Sequence, residues 1–137
     1  MSEIDFQDLG RDLDFQGTWD LQESMVQGRR DGMIGDTILL LEHAPVFTIG
    51  RTRDQSSLRD TSHLPHPVVE INRGGQGTFH GPGQLVGYAI LDLNEREKDL
   101  HAHLRNLEEA IITALSRFQV ASQRRDGLTG VWVDDRK

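Results

Sequence analysis

Residues 73–93 read RGGQGTFHGPGQLVGYAILDL. Five glycines and one proline crowd the eleven positions from Arg73 to Gly83 around a single histidine, His80, and an apolar run from Leu85 to Leu93 follows at once. Glycine loses more backbone freedom on folding than any other residue, so such clustering weakens a fold unless the backbone needs unusual angles or close approach. The segment therefore reads as a main-chain surface against which a ligand lies, with a structural hairpin as the plainer alternative. It is not a nucleotide loop. GxxxxGK[ST] is absent, and after Gly75-Gln76-Gly77 the place where GxGxxG requires glycine holds His80.

The flanks supply regular elements. Asp14 is a helix N-cap, and Phe15, Trp19, Gln22 and Val26 follow at helical spacing, with Arg29 and Arg30 in the last turn and Gly32 placed to end it. Thr37 to Leu41 reads as a buried strand, and Pro45 breaks it before a second short strand, Val46 to Ile49. Arg51 to Pro67 is polar and reads as a long surface loop; Val68 to Ile71 is a short strand. Leu85 to Leu93 lacks alternation, which predicts burial on both faces. Leu100, Leu104, Leu107, Ile111, Leu115 and Phe118 mark an amphipathic helix, and Val131 to Val133 starts a last strand. Mixed strands and helices without regular βαβ alternation predict the α+β class, a mixed sheet with packed helices, and the length fits a single domain over residues 1–137.

Composition narrows the functions. A formal charge of −7 argues against binding nucleic acid or an anionic membrane, both of which use basic patches. No apolar run approaches the roughly 20 residues that span a bilayer, the N-terminus lacks the pattern of a secretory signal, and the absence of cysteine fits the cytoplasm. Metal is not expected: His101 and His103, two apart on a helix, point away from each other, while His63 and His66 sit in polar loop sequence. No GxSxG surrounds Ser56, Ser57 or Ser62.

Four segments, in order, carry a family resemblance. Leu21-Gln22-Glu23 with Arg29 and Gly32, the run LLLEHAPVFTIGR from Leu39 to Arg51, the glycine segment, and Gly130-Val131-Trp132-Val133 followed by Arg136-Lys137 together resemble the lipoyl(octanoyl) transferases. Ala44, Gly77 and Phe79 replace the family's usual proline, valine and tyrosine. The resemblance implies a biotin/lipoate protein ligase-like fold and transfer of an octanoyl group from acyl carrier protein to a lysine of lipoyl domains, through an acyl-cysteine intermediate and without metal or ATP. It places Arg73, Gly74, Gly75, Gln76, Gly77, Thr78, Phe79 and His80 at the substrate, and matches Lys137 to the lysine that activates the family cysteine. His80 reads either as a binding residue or as a hydrogen-bonding brace for its loop. Arg51 and Arg53 are candidates for docking the acidic carrier. The family cysteine lies beyond the GVWV…RK segment and this sequence has none, so the chain is expected to be a C-terminally truncated front portion of the domain. Two alternatives stand beside the active transferase: an inactive acyl-binding fragment, and a lipoate ligase relative that would require ATP.

Overall fold

A computed structural model describes residues 3–51, 61–73, 76–96 and 98–137. The chain divides into two compact units, Ser2–Asp92 and Leu93–Lys137 with Met1.

The first unit opens with strand β1 (Asp5–Leu13) and helix α1 (Phe15–Arg30), followed by β2 (Thr37–His43) and β3 (Val46–Gly50). A single 3-10 turn at Thr61–His63 precedes β4 (Val68–Ile71), β5 (Thr78–His80) and β6 (Val86–Ile90). One sheet has the order β1-β2-β6, with β1 parallel and β6 antiparallel to β2. The other has the order β4-β3-β5, with β4 parallel and β5 antiparallel to β3.

Helix α1 begins and ends where its sequence dictates. The Asp14 carboxylate accepts the Gly17 N–H at 2.8 Å. At the other end Gly32 takes φ +70°, and the bonds Gly32 N–H to Arg29 O (3.2 Å) and Met33 N–H to Gly28 O (2.8 Å) close a Schellman motif. Phe15 packs with Val46 and Ile71 in a core that Trp19 and Val69 border.

Strand β2 alternates strictly, burying Thr37, Leu39, Leu41 and His43. Directly before it, the fully buried Asp36 carboxylate accepts from Arg29 Nε at 2.8 Å and from the Asp92 backbone N–H at 2.9 Å. Its own carbonyl accepts the Asp5 N–H at 2.9 Å. One residue thus links the end of α1, the start of β1 and the segment leaving β6.

Several expectations are corrected. Strand β1 was not expected from its polar sequence; it lies at a sheet edge, largely exposed, with register shifts at Gly10 (φ +86°). The glycine segment is not loop throughout, because Thr78–His80 pairs with β3. Strand β6 is shorter than Leu85–Leu93 and is not buried on both faces: Gly87 and Ala89 are exposed and Leu85 is 69% exposed. Among the described residues β6 pairs with β2 alone, which leaves it at an edge. Residues 52–60 of the expected long loop, with Arg53, Ser56 and Ser57, lie outside the described residues, as do Gly74 and Gly75.

The second unit holds a 3-10 turn (Leu93–Glu95) and helix α2 (Leu100–Arg117), capped by the Asp99 carboxylate on the His101 N–H at 2.8 Å. The helix forms as expected, but its apolar stripe is only partly covered: Leu100 and Ile111 are 61% and 50% exposed, and its fully buried side chain is Glu108. Val131 to Val133 is not a strand. It contributes isolated bridges, Gln123 with Trp132 and Val133 with Arg136, around a turn with Asp134 at φ +52°.

Two predictions test this packing. Asp36→Ala takes the closer carboxylate from the buried Arg29 guanidinium, which keeps Asp92 at 3.8 Å, and removes the acceptor of the Asp92 N–H; it is expected to cost about 3 kcal/mol in denaturant unfolding. Among the described residues the buried Thr48 hydroxyl has no partner, so Thr48→Val is expected to leave stability unchanged or raise it by about 1 kcal/mol in the same measurement.

Candidate functional site

A cavity of about 750 Å³ opens within the first unit, in the size range of small-molecule sites. One wall is α1. Phe15, Trp19, Gln22, Glu23, Val26 and Gln27 recur there at the three- and four-residue spacing that aligns side chains on one helix face. Val86, Tyr88, Ala89 and Ile90 of β6 form a second wall, and Ile71, Asn72 and Arg73 at the end of β4 a third. His80 completes it from β5.

The walls are mostly apolar, and their polar groups are held in fixed hydrogen-bond roles. The Trp19 indole N–H donates to Glu23 Oε1 at 2.9 Å, so the ring's polar edge is satisfied within α1. Gln84 Nε2 donates to the Phe79 carbonyl at 3.1 Å, which turns Gln84 Oε1 toward His80 Nδ1 at 2.8 Å. An amide oxygen only accepts, so His80 Nδ1 is the donor in this bond.

Behind His80 lies His43, fully buried. The Leu13 carbonyl is 3.4 Å from its Nδ1, and Nε2 is 2.7 Å from the Tyr88 hydroxyl. A carbonyl only accepts, so Nδ1 is the donor and the Tyr88 O–H donates to Nε2. Phe15 stacks on the His80 ring (6.5 Å between centroids, 13° between planes) and lies 5.1 Å from the His43 ring. The two histidine rings are 5.8 Å apart. Burial pushes the His43 pKa below its ordinary 6.5, and a charge on His80 pushes the same way; the Leu13 carbonyl and Asp14 oppose it. Burial also raises the Tyr88 hydroxyl, against a hydrogen bond from Gln22.

The structure brings Arg73 and His80 together on the cavity. Thr78 accepts from Arg73 at 3.4 Å without lining the cavity. Strand alternation turns Phe79 to the opposite face from His80, where it packs on Phe47 (5.2 Å) and His66 (6.1 Å). It also covers Gly81, where a Cβ would meet its ring at 2.7 Å. Gln76 and Gly77 are described but do not line the cavity. Lys137 belongs to the second unit, its Nζ 5.5 Å from the Trp132 ring centroid.

His43, Tyr88 and the α1 wall were not singled out as site residues from the sequence. A signal for His43 was present: it continues the two-residue rhythm of Leu39 and Leu41, so it falls on the buried face, and a buried imidazole requires partners. Among the described residues no group of three or more His, Cys, Asp or Glu is placed to hold a metal, and no helix is long and apolar enough to cross a membrane.

His43 generates a pH prediction. The unfolded chain protonates this histidine near 6.5, whereas the folded protein holds it neutral to lower pH. The unfolded state therefore binds more protons in that window, and stability rises with pH across it. The contribution is complete above pH 6.5 and is lost as pH falls below it through the folded value. Unfolding measured across this range is expected to show a His43→Gln variant with a flatter acid limb than the wild type.

Known proteins share this sequence and architecture. The family profile "Lipoyl protein ligase A/B catalytic domain" matches residues 14–137. An octanoyltransferase of Geobacter metallireducens is 48% identical over 130 residues, covering 95% of this chain and 59% of that protein. One from Synechococcus elongatus is 44% identical over 127 residues, covering 91% and 54%. The chain thus spans a little over half the length of these relatives. Among solved structures, P. falciparum LipL1 in complex with lipoate superimposes with a TM-score of 0.71 at 13% identity, over 97% of this chain and 41% of that one. A putative lipoate protein ligase from T. acidophilum with bound lipoic acid gives 0.64 at 12% identity, over 98% and 59%. These two bear on the fold, which is that of the lipoate-protein ligases, and the profile match sets the kinship: the chain belongs to the lipoyl protein ligase A/B catalytic-domain family.

Proposed function

We propose that this chain binds the octanoyl group of an acyl carrier protein thioester and serves its transfer to a lysine of a lipoyl domain, in the cytoplasm. The observation that carries the reading is the cavity itself. Phe15, Trp19, Val26, Ile71, Val86 and Ile90 offer apolar walls to a straight alkyl chain, while Arg73, His80 and Tyr88 supply polar contacts. Octanoyltransferases at 44–48% identity support it.

The chemistry has two balanced halves. A thiolate attacks the thioester carbonyl carbon, a new C–S bond forms, and the carrier's thiolate leaves. The acceptor lysine's neutral ε-amine then attacks the new thioester; the C–N bond forms, the C–S bond breaks, and the amine proton passes to the departing sulfur. No cysteine occurs in this sequence, so the thiol in this reading comes from outside these 137 residues. Arg73 and the backbone N–H groups of Gly74, Gly75 and Gly77 are assigned to the thioester head group, where donors stabilise the developing oxyanion, and Gln76 to the substrate beside them. Thr78 braces Arg73, Phe79 backs the segment, and His80 contacts the acyl head. Lys137 is assigned to the thiol, since a neighbouring ammonium lowers a thiol's pKa.

Titration calorimetry with octanoyl-pantetheine tests the binding half. Saturable binding is expected, and His80→Ala and Arg73→Ala should each weaken it about tenfold, the worth of one hydrogen bond. Equal affinity in both variants would remove these residues from the site. Octanoylation of a lipoyl domain that proceeds from free octanoate only when ATP is added would replace the transferase reading with a ligase.

A further inference from the structure

We propose that Glu108, Gly130 and Trp132 are positioning residues that hold the Lys137 ammonium on an aromatic face. The proposal rests on the assignment of Lys137 to the thiol and identifies what would place it there.

The starting point is the buried side chain of α2. Glu108 is 3% exposed, and a carboxylate in that position requires partners. Its Oε1 accepts the Gly130 backbone N–H at 2.7 Å; its Oε2 accepts from Arg105 at 2.7 Å and Arg124 at 3.1 Å. The Gly130 N–H, more than any other group, holds this carboxyl below the ordinary carboxylate range against the opposing effect of burial, and the two guanidiniums add to it. Glu108 therefore anchors the Gly130 backbone to the helix.

Gly130 sits at φ +130°, a conformation that side chains rarely adopt. A Cβ there would lie 2.5 Å from Lys137 Cε and 3.4 Å from its Cδ and Cγ. The missing side chain is the space that the lysine's methylene stem occupies.

Trp132, 6% exposed, is fixed by reciprocal backbone bonds with Gln123 at 2.9 and 2.8 Å. Reciprocal bonds between Val133 and Arg136, at 2.9 and 3.0 Å, turn the chain back. Lys137 Nζ lies 5.5 Å from the Trp132 ring centroid, inside the roughly 6 Å reach of a cation–π contact. Arg125 approaches the same ring at 5.4 Å and holds the turn's acid, Asp135, at 3.0 Å. Among the described residues no ion pair involves Lys137. The distinction matters chemically. A carboxylate partner would cancel the lysine's field, whereas an aromatic face orients the ammonium and leaves its charge to favour a nearby thiolate.

Lys98 and Lys137 are the only lysines in the sequence, so NMR of the chain labelled with 13C at lysine Cε resolves both, with Lys98 as internal control. Ring current is expected to move the Lys137 ε-methylene protons upfield of those of Lys98. Trp132→Phe should keep part of that displacement, while Trp132→Leu and Gly130→Ala should abolish it and Glu108→Ala reduce it. Coincident Lys98 and Lys137 signals in the wild type would overturn the proposal, as would a displacement that survives Trp132→Leu. The two readings fail separately. Octanoyl transfer that Lys137→Met leaves undiminished when the thiol is supplied from outside these 137 residues would remove the catalytic assignment and leave the NMR result standing; an unshifted Lys137 removes the positioning whatever the transfer assay gives.

Discussion

The architecture of the first unit hangs on a carboxylate with no access to water. Asp36 takes an Arg29 guanidinium hydrogen and a backbone N–H from Asp92 on one oxygen, while its carbonyl receives the N–H of Asp5. A buried ion pair repays its desolvation only when geometry is good and further hydrogen bonds are made, and here both conditions hold. The arrangement ties the end of α1 to the segment that leaves β6. Helix α1 and β6 both line the cavity, so the pair that holds α1 to the end of β6 also bears on its shape.

Within that frame the cavity's polarity is decided by groups that can act in one direction only. Two main-chain carbonyls, those of Leu13 and Phe79, set the hydrogen-bonding roles of His43 and of Gln84, and through them those of Tyr88 and His80. A protonated His43 would lose the bond from the Tyr88 hydroxyl as well as its place in an apolar core. His43 is consequently held neutral, with both of its ring nitrogens already engaged.

Much of this was legible in the residues themselves. Asp14 and Gly32 delimit α1 because a side-chain acceptor and a left-handed glycine act locally. Thr37 to His43 alternates because one face of a strand is covered. Other features were not legible, and the reasons are physical. Asp5–Leu13 has no apolar rhythm because an exposed edge strand needs only main-chain pairing. The apolar run after Gln84 looked buried on both sides, yet pairing decides burial and β6 is paired on one side among the described residues. His80 and Phe79 are neighbours in sequence and were assigned one role, but a three-residue strand sends their side chains to opposite faces.

By itself the sequence determined the class of fold, the limits of its helices and the glycine-rich segment with Arg73 and His80, because caps, periodicity and glycine content act over a few residues. Only tertiary structure decided that His43 and Tyr88 stand behind His80, that a face of α1 forms a cavity wall, and that Glu108 is the buried residue of an otherwise apolar stripe. Those outcomes depend on partners 16 to 45 residues away, and no local pattern encodes which distant group will meet a side chain once the backbone has closed.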